Sequence, residues 1–240
     1  MTTSDRRWRG ILAFPLTLSV VAATASVSLA ALAAPPFMAL MTRDPSLVQA
    51  GQWWRLASPV LVQPAGWGQL GFNLLGIAVV GAAFERRRPR WQWVLTYVLA
   101  GVGSVVLLAL LRPDDHGGGS SDGVAGLIGA LAVAELLERA RRPSSRSVLD
   151  TVAMGYSAFF CAYLAALPLG VWPAIIAGDV ALALALTVRY RVGPAGVAVG
   201  GLVLVVVTGA VMAVQADGHG IGLLTGAVTA LVVWRARSRE

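Results

Sequence analysis

The feature that most constrains this chain is a series of long, nearly uninterrupted apolar blocks. Each block runs for roughly 17 to 24 residues, the length at which an α-helix crosses the hydrocarbon core of a bilayer. Because backbone groups inside lipid must be satisfied within their own segment, the blocks predict helices. They lie near residues 11–34, 68–84, 91–111, 122–137, 149–169, 172–188, 193–214 and 219–234. The predicted fold class is therefore all-α, a polytopic bundle of about eight transmembrane helices.

The composition excludes an ordinary soluble domain. Of the 240 residues, 57% are hydrophobic and only 13% are charged, and the mean hydropathy is +0.72. A soluble domain of this length needs far more polar surface to cover its core. A pI near 10.9 is also typical of nucleic-acid binders, but the basic residues border the apolar blocks, which membrane topology explains better. We therefore expect the lipid bilayer, and no nucleic acid, as a partner, and residues 1–240 as a single transmembrane domain.

Arginine supplies all 19 basic residues, and its distribution predicts the orientation in the membrane. Connections between successive blocks fall alternately on the two sides. Arg43, Arg55 and Arg112 lie on one side, and the other 16 arginines lie on the opposite side. An excess of this kind marks the cytoplasmic side. The sequence thus predicts a multi-pass protein of the cell membrane whose tails, residues 1–10 and 235–240, are both cytoplasmic.

The N-terminus imitates a secretory signal peptide, because arginines precede an apolar run that ends in Ala31-Leu32-Ala33-Ala34. The run from Ile11 to Ala34 has 24 residues, whereas a signal core has about 7 to 15. We therefore expect an uncleaved first helix.

Two residues with catalytic potential begin separate blocks. Ser121 precedes the fourth block and His219 begins the eighth. Three blocks, an odd number, lie between the fourth and the eighth, so both of these helices should start at the same membrane face, the outer one. A serine before a helix is commonly an N-cap. Small residues spaced along both helices would nevertheless permit close approach, and a hydroxyl beside an imidazole is what a nucleophile and its base require.

Two side-chain amides lie near the outer end of the second block. Gln69 and Asn73 are four residues apart and therefore share one helix face. Amides in a medium of low dielectric can donate to a developing oxyanion. Hydrogen bonding between helices is an equally ordinary use of such amides.

Four motifs of this chain resemble, in order, those of the rhomboid intramembrane serine proteases. The motifs are Gly51-Gln52-Trp53-Trp54-Arg55-Leu56 with Ser58-Pro59, Gln69-Leu70-Gly71-Phe72-Asn73-Leu74-Leu75-Gly76 with Phe84-Glu85-Arg86, Gly119-Ser120-Ser121 with Gly126-Leu127-Ile128-Gly129-Ala130, and His219-Gly220-Ile221-Gly222-Leu223-Leu224-Thr225-Gly226. The resemblance covers about residues 10–138 and 215–236. It corresponds to the first outer loop, the second core helix, the nucleophile segment and the helix of the catalytic histidine.

The resemblance implies a rhomboid-like bundle and a serine endopeptidase. Ser121 would attack a peptide carbonyl in or near a transmembrane segment, His219 would serve as its base, and Gln69 and Asn73 would hold the oxyanion. Transmembrane protein substrates or clients would be the partners. No cofactor is expected and no metal site is assigned.

Three positions depart from the family pattern. Gln69 stands where the family carries a histidine, and Asp122 stands where it carries a glycine after the nucleophile. The third departure is length, because 98 residues and three blocks separate Ser121 from His219, where the six-helix core has one block. The two additional blocks keep the number of blocks between these helices odd, so Ser121 and His219 still lie at the same membrane face.

These departures leave other functions open. A rhomboid-like pseudoprotease would bind membrane helices without cutting them. A small-solute transporter is suggested by Asp179, which lies inside the sixth block. Acidic and histidine side chains on the outer side also permit a metal site. Those side chains are Asp114, Asp115, His116, Asp217 and His219.

Overall fold

The computed structural model describes residues 13–139 and 147–237, and almost all of these residues are helical. The helices in chain order are α1 (Pro15–Ala33), α2 (Pro35–Met41), α3 (Pro45–Gln49), α4 (Trp67–Arg87), α5 (Arg90–Leu111), α6 (Ser121–Arg139), α7 (Val148–Ala166), α8 (Val171–Arg191), α9 (Pro194–Val214) and α10 (Gly218–Arg237). Two 3-10 turns, Trp53–Leu56 and Ser58–Leu61, lie between α3 and α4. The all-α prediction is confirmed. The predicted tail at residues 1–10 and the last three residues lie outside the described residues.

Among the described residues, six helices are long and apolar enough to cross a membrane. Their apolar stretches are Pro15–Ala33, Trp67–Arg87, Arg90–Leu111, Val148–Leu169, Val171–Val188 and Ala195–Val214. The chain is therefore a multi-pass membrane protein. The two other predicted crossings correspond to α6 and α10, which are helices of 19 and 20 residues. Neighbouring helices cover much of α6 and the first half of α10, so these two need less apolar surface than a helix that faces lipid.

Helix α6 forms the centre of the bundle. It packs against α4, α5, α9 and α10, and most of its side chains from Ser121 to Leu131 are buried. Val124, Leu127 and Ile128 contribute the apolar part of this core. A helix enclosed on all sides has a fixed position, and this position determines where its first residue, Ser121, lies.

Glycines allow α6 and α10 to approach closely, as the small residues in both helices predict. A methyl group on Gly226 would overlap the backbone carbonyl of Gly126, and one on Gly129 would overlap that of Leu223. A methyl group on Gly222 would lie 2.5 Å from the carbonyl oxygen of Asp122. The two backbones are therefore in direct contact along this seam.

Helix α4 contains a π-helical turn at Ile77–Gly81, which the sequence did not predict. Ile77 and Val80 are fully buried, and the indole of Trp93 donates a hydrogen bond to the carbonyl of Gly81 at 3.1 Å. Further along, Glu85 accepts hydrogen bonds from the backbone N–H groups of Leu16 and Thr17. These contacts tie α4 to α1 and α5 below the segment that holds Gln69 and Asn73.

Helix α8 lies at the periphery. It packs mainly against α7, and only 11% of its apolar stretch is buried. Asp179 is exposed on α8. Helix α9, by contrast, packs against α6, α7 and α10. The length added between Ser121 and His219 is therefore accommodated partly inside and partly outside the core.

Candidate functional site

Ser121 and His219 meet although 98 residues separate them. Ser121 is the first residue of α6, and His219 is the second residue of α10. The distance from Ser121 Oγ to His219 Nε2 is 2.9 Å, a hydrogen bond. The close approach of α6 and α10 at their glycines brings these two helix ends together.

Neighbouring helices hold the beginning of α10 in place. The Ser104 hydroxyl on α5 donates a hydrogen bond to the carbonyl of Gly218 at 3.1 Å. On another side, the fully buried ring of Phe160 on α7 meets the imidazole of His219 edge to face, with ring centroids 6.0 Å apart. Ser104 therefore holds the backbone next to His219, and Phe160 packs against its ring.

Asp217 contacts the other nitrogen of His219. Its Oδ1 lies 2.7 Å from His219 Nδ1 and accepts the backbone N–H of His219 at 2.8 Å. Burial raises the pKa of the Asp217 carboxyl, but hydrogen bonds from His219 and the charges of His219 and Arg112 outweigh it and hold the pKa below its usual range. The sequence pattern indicated Asp217 only as an outer acid and a candidate metal ligand. An aspartate two residues before a histidine at a helix start was the available signal.

Asp122 lies beside the same imidazole. Its side-chain oxygen is 3.9 Å from His219 Nε2, and the residue is only 9% exposed. A Cβ on Gly218 would lie 2.5 Å from the other carboxylate oxygen. The side chain therefore points towards the start of α10, close to the candidate nucleophile and base.

Gln69 lines the site but uses its amide groups on the surrounding loops. Its Nε2 donates to the carbonyl of Gly118 at 3.0 Å, and its Oε1 accepts the N–H of Ala65 at 2.8 Å. A Cβ on Gly119 would lie 2.6 Å from this Nε2 and 3.2 Å from Ser121 Oγ. The Gln69 amide is thus adjacent to the candidate nucleophile while it also links two loops.

Asn73 belongs to a buried chain of polar side chains next to the site. Its Nδ2 donates to Gln63 Oε1 at 2.6 Å, and Gln63 Nε2 donates to Ser120 Oγ at 3.1 Å. Gln63 is fully buried. Its role could not be predicted from the sequence, since a single glutamine in a loop carries no recognisable pattern. Asn73 Oδ1 has no hydrogen-bond partner among the described residues. Asn73 therefore supports Ser120 through Gln63, and it has no hydrogen bond to the neighbouring Ser121.

The glycine loop before α6 is fastened by Arg43. The guanidinium pairs with the carboxylate of Asp115 at 2.6 Å and donates to its backbone carbonyl at 3.2 Å. The backbones of Arg43 and Gly117 also pair as an isolated β-bridge. Gly119 adopts a φ of +150°, a conformation that L-residues rarely adopt. The loop thus has a defined path into Ser121.

A cavity of about 190 Å³ opens at these residues. Ser121, Asp122, His219 and Gln69 line it, together with Arg43, Val105, Leu108, Arg112, Asp115, Gly118, Gly119, Ala216, Asp217 and Gly218. Asn73 is absent from this lining. The cavity brings a hydroxyl, an imidazole, a carboxamide and the first amides of a helix to one polar depression, which is a combination suited to acyl transfer.

The other sequence candidates do not form a second site in the part of the chain that is described. No group of three or more His, Cys, Asp or Glu there is arranged to hold a metal ion. Asp179 lies on α8, which is remote in sequence from the cavity and does not line it.

Comparison with known proteins identifies the family of the central segment. Residues 50–146 match the family described as Rhomboid domain. The chain is similar to the rhomboid protease GluP of Bacillus subtilis (strain 168), with 31% identity over 102 residues, which are 42% of this chain and 20% of GluP. It is also similar to YdcA, another protein of Bacillus subtilis (strain 168) named for the rhomboid family, with 32% identity over 83 residues, which are 34% of this chain and 41% of YdcA. No solved structure matches the chain.

These matches confirm the resemblance that the motifs indicate, and they have defined limits. The chain spans about a fifth of GluP and about two fifths of YdcA. The family match includes Gln69, Asn73 and Ser121 but ends before His219. The contact between Ser121 and His219 is therefore an observation of the fold, independent of the family match.

Proposed function

We propose that this chain, whose residues 50–146 match the rhomboid family, is an intramembrane serine protease that cleaves peptide bonds in or near transmembrane segments. The observation that carries the proposal is the 2.9 Å hydrogen bond between Ser121 Oγ and His219 Nε2 in a polar cavity at one end of the bundle. A hydroxyl is a weak nucleophile until an adjacent base accepts its proton, and this pair meets that requirement.

The proposed reaction has two halves. In the first, His219 Nε2 takes the proton of Ser121, Oγ bonds to the carbonyl carbon of the substrate, and the C–N bond breaks as His219 returns the proton to the leaving amine. In the second, His219 takes a proton from water, the hydroxide attacks the acyl carbon, and Ser121 leaves with the proton. The net change is hydrolysis of one peptide bond.

The oxyanion of each tetrahedral intermediate needs donors beside Ser121. We assign the first backbone amides of α6 to this role, because they have no partner within their helix. Gln69 is the side-chain amide that lines the cavity, and its Nε2 would exchange the Gly118 carbonyl for the oxyanion. Asn73 would have to exchange its bond to Gln63 in the same way, so we assign it the weaker share.

The Asp122 carboxylate acts on both charges of the intermediate. It opposes a negative oxyanion, and it favours the imidazolium that forms at 3.9 Å when His219 accepts a proton. We propose that the second effect is the larger, because the carboxylate is oriented towards His219 and Gly218.

The proposed orientation has both termini in the cytoplasm and the cavity at the outer face, as the 16-to-3 division of arginines indicates. A reporter fused after Glu240 should be active only in the cytoplasm, and one inserted at residues 117–119 only outside. Activity of both reporters on one side would reject this topology.

The experiment that tests the proposed function is labelling of the purified protein in detergent with a fluorophosphonate probe. Wild type should be labelled at serine, and neither Ser121→Ala nor His219→Ala should be labelled. Ser120→Ala is the matched control, since it removes the adjacent hydroxyl, which accepts from Gln63 instead of facing His219. It should be labelled like wild type.

Two results would reject the protease assignment. Equal labelling of Ser121→Ala would remove Ser121 as the nucleophile. Absence of labelling in wild type that remains folded would favour a rhomboid-like protein that binds transmembrane clients without cleaving them.

A further inference from the structure

One carboxylate oxygen of Asp217 makes two hydrogen bonds to His219. Oδ1 lies 2.7 Å from the ring Nδ1 and 2.8 Å from the backbone nitrogen. An ionised carboxylate only accepts hydrogen bonds, so the Nδ1 that faces it must carry a proton. The unprotonated Nε2 then faces the Ser121 hydroxyl, which is the tautomer that a general base requires.

The connection between α9 and α10 is built to hold Asp217 in this position. The N–H of Asp217 donates to the carbonyl of Met212 at 3.0 Å. The preceding residue, Ala216, has a φ of +51°, an uncommon conformation for a residue other than glycine. Two side chains anchor the flanking carbonyls, since Arg112, the residue after α5, donates to Gln215 and Ser104 of α5 donates to Gly218.

We propose that Asp217 is a positioning residue that turns the Ser121–His219 dyad into a Ser–His–Asp arrangement. Its carboxylate holds the imidazole of His219 in the Nδ1–H tautomer, fixes the ring towards Ser121, and stabilises the imidazolium that forms during attack. This inference rests on the proposed function for its catalytic consequence. Its claim about the tautomer of His219 stands on geometry alone.

A simpler role for Asp217 is that of a helix N-cap, because its carboxylate accepts a backbone N–H in the first turn of α10. The two roles are separable by substitution. Asp217→Ser keeps a good N-cap but is too short to reach the imidazole. Asp217→Asn keeps the cap and the length but replaces the charged acceptor with a carboxamide that can also present N–H to the ring. Asp114→Asn, an exposed acid of the glycine loop, is the matched control.

The first measurement is the tautomer of His219 by ¹⁵N NMR of histidine-labelled protein in detergent. The chain has only two histidines, so the exposed His116 is replaced by alanine and one imidazole remains. We expect the Nδ1–H form in this background and in Asp114→Asn. We expect a loss or mixture of that form in Asp217→Asn and Asp217→Ser. An unchanged tautomer in both Asp217 variants would overturn the inference whether or not the protein is a protease.

The second measurement is the rate of fluorophosphonate labelling in the same variants. Replacing the triad aspartate by asparagine in chymotrypsin-like enzymes costs about 10⁴-fold in turnover. Asp217 is about one-third exposed, its side chain having 37% of its full accessibility, so we expect a smaller loss, of at least about a hundredfold, in both Asp217 variants. Labelling of both at the wild-type rate would show that Asp217 is only a cap. Failure of wild type itself to label would reject the proposed function instead, and the tautomer measurement would still decide the role of Asp217.

Discussion

The contact of α6 with α10 at Gly222 controls the geometry of the candidate site. Gly222 lies one turn after His219, and the backbone it touches is that of Asp122, the neighbour of Ser121. In Gly222→Ala the new methyl would lie 2.5 Å from the Asp122 carbonyl oxygen and 3.1 Å from Cβ of Ala125. Comfortable contacts of this kind are about 3.5 Å or longer, and a backbone carbonyl cannot rotate away. The two helix ends must therefore separate by roughly 1 Å.

That separation would break the hydrogen bond between Ser121 and His219. Adding about 1 Å to the observed 2.9 Å leaves the atoms beyond hydrogen-bonding range. A misplacement of this size costs about a hundredfold in rate. The stability penalty is smaller, because overpacking costs about 1–3 kcal/mol while alanine in a helix is about 1 kcal/mol better than glycine. Gly222→Ala should therefore remain folded and label about a hundredfold more slowly with a fluorophosphonate.

Gly103→Ala on α5 is the matched control. A methyl group there meets nothing within 4 Å, so the helix gains propensity without moving its neighbours. It should label at the wild-type rate and unfold at an equal or higher temperature. If folded Gly222→Ala also labels at the wild-type rate, the close packing of α6 and α10 does not set the distance between Ser121 and His219, and the argument fails.

Four further substitutions test three individual residues. Gln69→Ala should lower turnover about tenfold or more. Gln69→His should keep or raise turnover, because a charged donor makes a stronger hydrogen bond than a neutral one. Reduced thermal stability of Gln69→Ala with unchanged labelling would instead make Gln69 a residue that only links the loops. Asn73→Ala leaves Gln63 Oε1 buried without its donor and should lower the free energy of unfolding by about 1–3 kcal/mol. Denaturation in mixed micelles measures this change. An unchanged free energy would mean that water replaces the lost amide. Ala216→Gly should raise the free energy of unfolding by about 1 kcal/mol in the same assay, since glycine adopts a positive φ without strain. A lower free energy of unfolding would indicate that the packing of the Ala216 side chain outweighs the strain.

Much of the fold could be predicted from the sequence because its determinants are local. The length of each apolar block and the spacing of glycines along α6 and α10 depend only on residues near one another in the chain. The odd number of blocks between the two helices then predicted that Ser121 and His219 lie at the same membrane face, and the fold brings Ser121 Oγ within 2.9 Å of His219 Nε2. The predicted crossing at α6 contains Asp122, Glu135 and Glu138. It can be less apolar than a helix that faces lipid because neighbouring helices cover much of it.

The details of the site were decided only by the tertiary structure. Asp217 was visible as an acid, but its hydrogen bonds to the ring Nδ1 and the backbone N–H of His219 depend on the turn between α9 and α10. Gln63 and the engaged amides of Gln69 and Asn73 depend on partners between 4 and 57 residues away. The direction of a side chain and the choice of its hydrogen-bond partner are set when helices pack, and no pattern along one helix contains them. The sequence therefore determined which helices form and which ends meet, and packing decided which donor, acceptor and charge each residue at that meeting point faces.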